Sequence, residues 1–484
     1  MLHTKIQIRF LCIVLLSPLL LNSFGQVAFP LKISNDKRYF VDQNSKPFPI
    51  LGRTAWFIVS QPDSGYKKFL DNTIAHGYNS IELSVITHWP MGNHAPYNAN
   101  GDAPFLKSLN GNDWDGKLTY NDVTTEAPDL LTPNEPYWKH VDEMLAYCES
   151  KGILVFMFPG YVGYASEMEE QGWMKELVAN GEKTEQYGAW IATRYKNRKN
   201  IVWTLLGDKG IYTAAQAKAE AALIKGLKNV QGQQSVQYTA ESNSGENAAD
   251  NAQFGHEMTM NGSYTWELKV PVPYIARKAY AHKPVIPAFL LEEPYDEEGP
   301  DGNNYNPNAT QPVRRFQWWG WLSTIGGYIS GNGYIWQFVD PVWQQHLNTQ
   351  GALDMGRLNS FIHSIKWWKL IPSGLNGMPT LIVDPNNTDT SAAYVSAAAT
   401  KDGSMLVAYI PPAHEGSTTV DMTALSNKVN AYWFDPTNGV YTSIKDFSLT
   451  NKGYKSFTPP GKNSAGENDW VLILLAQKRY AEKM

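Results

Sequence analysis

The sequence predicts an α/β chain of two domains, a (β/α)8 TIM-like barrel followed by a C-terminal all-β sandwich. Three observations predict it. Short apolar runs alternate with longer amphipathic segments up to about residue 370, the grammar of βα units around a parallel sheet. After Ile371-Pro372-Ser373-Gly374 the helical period disappears and short strands punctuated by turns take over. The 484 residues exceed the roughly 250 that a barrel typically needs, which leaves room for a second domain.

Taken in order, Met1–Gly25 reads as a signal peptide. Lys5 and Arg9 precede the apolar run Phe10–Leu21, and Ser23-Phe24-Gly25 supplies small residues before Gln26. The run is 12 residues long, well short of the ~20 that span a bilayer. The barrel is assigned to residues 26–372 and opens with a hairpin at Leu31–Asp42. Its eight strands are read as Ile50–Phe57, Ser80–Ile86, Ile153–Phe158, Ile201–Leu206, Val236–Ala240, Ala252–Met258, Val285–Leu291 and Gly333–Phe338. Helical periods fall between them at Tyr66–His76, Tyr137–Lys151, Glu185–Tyr195, Ala214–Lys228 and Val313–Thr324, spaced as return crossovers require. His88–Pro133, rich in Asn, Gly, Asp and Pro, is a long connection after the second strand, expected over the active face. The sandwich, residues 373–484, contains strands Ala393–Ala399, Met405–Ile410, Thr418–Asp421, Val429–Phe434 and Val471–Leu475, with hairpin signals at Asp402-Gly403 and Asn438-Gly439.

Composition narrows the ligand. The formal charge of −5 offers no basic field for a phosphate backbone, so nucleic acid is not expected as a partner. The 17 Trp and 26 Tyr supply flat rings with polar edges, a surface that suits carbohydrate. Of the two cysteines, Cys12 leaves with the signal peptide and Cys148 is expected as a buried apolar group. No later segment is long and apolar enough to cross a membrane. The expected location is outside the cytoplasm, in the periplasm or at the surface of a bacterium.

Active sites of such barrels gather at the C-terminal ends of the strands. Two acidic residues stand directly after apolar runs: Asp208 after the fourth strand and Glu292 after the seventh. Strands four and seven face each other across a closed barrel, and two converging carboxylates are what glycoside hydrolysis needs. Asp208 in Gly207-Asp208-Lys209-Gly210 also reads as a turn residue, and Glu292 as the start of a solvated acidic loop. Further candidates for substrate contact are Trp56, His88, Tyr161, Tyr295, Trp336 and Gln337, the last two read as ending the eighth strand. Asp296–Asn304 is acidic but lacks EF-hand spacing, so no metal site is assigned and no cofactor is required. The alternative from another class is a non-catalytic glycan- or matrix-binding protein on the same scaffold.

An ordered set of segments carries a family resemblance. It comprises Gly52-Arg53-Thr54-Ala55-Trp56, Gly77-Tyr78-Asn79, Pro133–Asp142, Asn200–Asp208, Lys283-Pro284-Val285-Ile286, Glu292-Glu293-Pro294-Tyr295 and Val313-Arg314-Arg315. Trp433-Phe434-Asp435-Pro436 and Asp469-Trp470-Val471-Leu472 extend it to the C-terminal domain. Together they resemble the apiosidase-like glycoside hydrolases, family 140 and its relatives, with a collagen-binding-like β-sandwich. The resemblance implies hydrolysis of a plant cell-wall glycan, with apiose in a pectic side chain as first guess. It also implies Asp208 as acid/base and Glu292 as nucleophile, with Glu293 the competing register.

Overall fold

A computed structural model describes residues 27–88, 95–116, 126–163, 172–230, 232, 237–266, 270–298, 311–445 and 449–477. The signal-peptide segment lies outside them, as do parts of the connection after His88 and residues 299–304 of the acidic stretch.

The barrel strands are β1 Ile50–Thr54, β2 Ser80–Ser84, β3 Leu154–Phe158, β4 Ile201–Leu206, β5 Gln237–Glu241, β6 Asn261–Tyr264, β7 Ala288–Glu292 and β8 Gly327–Ser330. They pair in parallel in the order β5-β4-β3-β2-β1-β8-β7-β6. The seam between β5 and β6 is bridged by the Met260 N–H to the Tyr238 carbonyl at 3.2 Å and the Gly262 N–H to Thr239 Oγ1 at 3.3 Å. The surrounding helices are α1 Asp63–Ala75, α2 Glu135–Ser150, α3 Met174–Asn180, α4 Lys183–Tyr195, α5 Ala214–Lys228, α6 Val272–Ala281, α7 Gln311–Thr324 and α8 Gln350–Ser364.

Side chains alternate across each strand, so residues two apart share a face. Ile50, Leu154, Phe156, Val202, Phe289, Leu291 and Ile329 form one buried cluster with Leu31, Phe40 and Phe48 of the N-terminal hairpin. The hairpin strands Lys32–Ile33 and Phe40–Val41 pair antiparallel, as expected.

Strands six and eight correct the sequence reading. Ala252–Met258 is not a strand; Gly255–Glu257 is a single 3-10 turn, and the sixth strand is the polar Asn261-Gly262-Ser263-Tyr264. Asn-Gly reads as a turn in sequence, yet here Asn261 Oδ1 accepts the Ala249 N–H at 2.8 Å. Gly262 lies so close to the neighbouring strands that a Cβ would sit 3.0 Å from Thr239 Oγ1 and 3.1 Å from Leu291. The eighth strand is Gly327–Ser330, almost continuous with α7, and Gly333–Phe338 is the turn that follows it. Trp336 and Gln337 therefore lie beyond the strand end.

The C-terminal domain contains an antiparallel six-stranded sheet and a two-stranded one, Thr418–Asp421 with Tyr454–Phe457. Its core places Val420 and Phe457 with Leu406, Trp433 and Leu472. A further cluster crosses the domain boundary, joining Trp318 and Phe361 on α7 and α8 to Tyr409, Phe434 and Ile473 of the sandwich. Arg314 on α7 is fully buried and donates to both oxygens of Asp469 at 2.7 and 2.8 Å and to Asp354 on α8 at 2.6 Å. Cys148 is a buried free thiol in α2.

Candidate active site

The C-terminal mouth of the barrel gathers three carboxyl groups. Asp208 follows β4, Glu241 ends β5 and Glu292 ends β7, and one oxygen from each lies within 4.8 Å of the others. Glu241 and Glu292 are buried, while Asp208 is partly exposed.

Each arrives by a different local device. Leu206, the last residue of β4, has φ 64, a left-handed conformation costly for a bulky side chain and typical of functional sites. The turn is pinned by the Gly207 N–H to the Glu241 carbonyl at 3.0 Å and the Leu206 N–H to the buried Glu220 carboxyl of α5 at 3.3 Å. Gly207 is needed here because a Cβ would press on the Tyr161 ring at 3.0 Å. Glu241 shares its strand face with Thr239 and needs no special geometry. Glu292 does: simple alternation after Phe289 and Leu291 would turn it outward, but the register between β6 and β7 shifts between Leu290 and Glu292. Such a bulge re-aims side chains beside active sites. It leaves Glu292 facing Asp208 and Glu241, while Glu293 bonds Gln317 on α7.

Glu292 is held by aromatic donors. The Tyr295 hydroxyl donates to Glu292 Oε1, and Trp56 Nε1 donates to the Tyr295 oxygen at 2.7 Å. Trp266 stands edge-on to Tyr295 with ring centres 4.7 Å apart. Tyr161 stands against Trp56 with ring centres 5.4 Å apart.

Two unit charges 4.8 Å apart repel by about 3–4 kcal/mol at an effective dielectric of about 20. Three carboxylates so placed, two of them buried, cannot all ionise. Burial, then the Asp208 charge, pushes Glu292 up to about 8, against the donors Tyr295 and Trp56. Burial raises Asp208 too. Glu241 is pushed well above the usual carboxylate range by burial and then by the charges of Asp208 and Glu292. Glu82, pointing inward from β2, is raised likewise, its burial reinforced by Glu292 and Asp208. Interacting groups of this kind titrate as a unit.

Of the residues singled out from sequence, Asp208, Glu292, Trp56, Tyr161 and Tyr295 meet at this mouth. Trp336 packs on Phe57 with centroids 5.9 Å apart, and Gln337 is partly exposed beside it. His88 is buried, with Nε2 3.2 Å from Glu176 and its ring edge-on to Trp173. Arg53 points outward from the barrel, donating to Asn72 on α1 at 2.7 Å and lying over the Phe69 and Tyr78 rings.

Sequence reading passed over Glu241, Glu82, Tyr264 and Trp266. Glu241 satisfies the same rule that selects Asp208 and Glu292, an acid at a strand end, but follows the weakly apolar Gln237-Tyr238-Thr239-Ala240. Glu82 is a carboxyl inside a fully buried strand, itself a signal.

The apiosidase-like catalytic domain family matches residues 34–369. The family described as "Putative collagen-binding domain of a collagenase" matches residues 379–475. A search of the curated proteins gives no match. Among solved structures, one titled a glycoside hydrolase superposes with TM-score 0.72 at 20% identity over 93% of this chain and 99% of that one. A glycoside hydrolase family 5 structure from Bacteroides vulgatus superposes with TM-score 0.71, also at 20% identity, over 95% and 97%. These two likenesses concern the fold, a barrel with a trailing sandwich. With the family match spanning most of its length, the chain belongs to the apiosidase-like glycoside hydrolases and is a glycosidase.

Proposed function

We propose that the chain is an exported, retaining glycosidase of plant cell-wall glycan, with a pentose-containing pectic side chain, apiose foremost, as substrate. The observation that carries the reading is the approach of Asp208 and Glu292, oxygens within 4.8 Å. Retaining enzymes separate their carboxyl groups by about 5–5.5 Å, whereas inverting ones leave ~6.5–9.5 Å for a water. In the first step a Glu292 carboxylate oxygen bonds the anomeric carbon as the glycosidic C–O bond breaks. The Asp208 proton passes to the leaving oxygen. In the second step water adds to the same carbon, its proton returns to Asp208, and the ester to Glu292 breaks.

Asp208 suits the acid/base role because it is the member of the trio that reaches solvent. Glu292 suits the nucleophile role because Tyr295 fixes one of its oxygens. The sugar rests on the family's character, and export on the Lys5–Gly25 pattern. A scaffold that only bound glycan would have no use for such crowding of carboxyl groups. The test is sugar release from a panel of pectic glycans, rhamnogalacturonan II included. Asp208→Asn is expected to lose roughly 10²–10⁴-fold in kcat, and Glu292→Gln roughly 10⁴-fold or more. Turnover surviving in Glu292→Gln contradicts the assignment, and release of a sugar other than apiose would reassign the substrate.

A further inference from the structure

Four buried oxygens of the carboxyl trio have no hydrogen-bond partner among the described residues: Asp208 Oδ1, Glu292 Oε2 and both oxygens of Glu241. Glu292 is anchored through its other oxygen by the Tyr295 hydroxyl. Glu241 is fully buried at the end of β5 and has neither oxygen anchored. A buried polar group without a partner is destabilising, and a fold tolerates it where a ligand supplies the missing bond. The two-carboxylate mechanism gives Glu241 no task of its own.

Position says which part of the ligand it meets. In the reaction assigned above, a Glu292 oxygen bonds the anomeric carbon and Asp208 faces the glycosidic oxygen. A Glu241 oxygen lies within 4.8 Å of an oxygen of each, so it faces the atoms bonded to the anomeric carbon rather than the far side of the sugar. An O–H···O hydrogen bond spans ~2.7 Å, a little over half that separation, so one sugar oxygen beside the reacting centre reaches it. Two oxygens of the sugar are close enough, the ring oxygen and the hydroxyl on the neighbouring carbon. The ring oxygen only accepts. The hydroxyl donates as well as accepts, and so pairs with a carboxyl group in either protonation state.

We propose that Glu241 is a substrate-recognition residue that holds the hydroxyl on the carbon next to the anomeric centre. The sugar cleaved off then carries that hydroxyl free, and a residue deoxygenated or substituted there is a poor substrate. Bonds to this hydroxyl strengthen in the transition state, so the contact acts on kcat more than on KM. The inference rests on the assignment of Asp208 and Glu292 made above and deepens it.

An aryl apioside and its 2-deoxy counterpart test it, with Glu241→Ala and Glu241→Gln beside wild type. Glu241→Ala is expected to lower kcat/KM on the hydroxylated apioside at least about a hundredfold more than on the 2-deoxy one, chiefly through kcat. Comparing variants on both substrates cancels the intrinsic difference in their reactivity. Glu241→Gln keeps a donor and an acceptor and is expected to lose no more than about tenfold on the hydroxylated apioside. Equal losses on the two substrates would mean a structural role and would overturn the proposal, as would an unchanged preference in Glu241→Ala. Crystals of Glu292→Gln soaked with rhamnogalacturonan II oligosaccharides give a readout that needs no turnover. A sugar hydroxyl is expected within hydrogen-bond distance of a Glu241 oxygen; a sugar seated against Asp208 with no hydroxyl there, or no sugar in the cleft, overturns the proposal. Failure of the underlying assignment shows differently, as an apioside that wild type leaves intact or turnover that survives in Glu292→Gln, and the soaked crystal still decides the role of Glu241.

Discussion

At Glu292, hydrogen-bond donors and like charges compete for one carboxyl group. Burial and Asp208 push it up to about 8, while Tyr295 and Trp56 pull it down. With Glu292 proposed as the nucleophile, it must be ionised for attack, so the acid limb of kcat/KM is expected well above the ordinary carboxylate range. An acid limb near pH 4–5 would contradict this. Tyr295→Phe removes a donor to the charged form. A hydrogen bond to a charged group contributes ~1.5–3 kcal/mol, so kcat is expected to fall roughly ten- to hundredfold. The acid limb should shift further upward, which a pH–rate profile of the variant reads directly. Asp208 and Glu292 were legible in the sequence because an acid following an apolar run marks a strand end at the mouth. Glu241 was passed over although its strand was read at Val236–Ala240, because that run is too polar for the acid after it to stand out. The choice between Glu292 and Glu293 was also hidden, because it depends on a bulge that no residue type signals.

α5 does more than cover β4: its Glu220 accepts the Leu206 N–H at the strained turn before Asp208. Burial pushes Glu220 up to about 7. A carboxyl raised in the folded state contributes fully at low pH, and that contribution is lost as the pH rises through its folded value. Ionising Glu220 therefore costs on the order of 3 kcal/mol above pH ~8. Glu220→Gln retains an acceptor oxygen and cannot ionise. Its Tm relative to wild type is expected to rise between about pH 5 and pH 8, as thermal unfolding by circular dichroism would show. A pH-independent difference would contradict the reading. The helical period between Thr213 and Lys228 was plain in sequence, reinforced by a Thr213–Gln216 capping box. Strands β6 and β8 were misplaced for a shared reason: both are short, glycine-containing and flanked by better apolar runs, and only close packing against neighbours makes them strands. Tertiary context overrode local pattern.

Over the whole molecule, barrel and sandwich share one apolar cluster and one buried ion network. Arg314 lies between Asp469 of the sandwich and Asp354 of α8, and Asp354 also accepts from Arg357. Removing one partner of a buried pair leaves charge uncompensated and typically costs ~3–5 kcal/mol. Asp469→Ala is expected to lower the denaturant midpoint by a corresponding amount, and an unchanged midpoint would contradict the role. A chain ending near Leu370 would expose Trp318 and Phe361 and is expected to aggregate, so a soluble, fully active truncation would show that the sandwich does not brace the barrel. The two-domain order was visible in sequence as a change of period near Ile371. The network joining the domains was not, because Arg314 and Asp469 are 155 residues apart.

If Asp208 and Glu292 form a retaining pair, the first-formed product keeps the anomeric configuration of the substrate. Proton NMR during the opening minutes of rhamnogalacturonan II hydrolysis reads that configuration before mutarotation. Retention is expected, and an inverted product would rule out Glu292 as a nucleophile paired with Asp208.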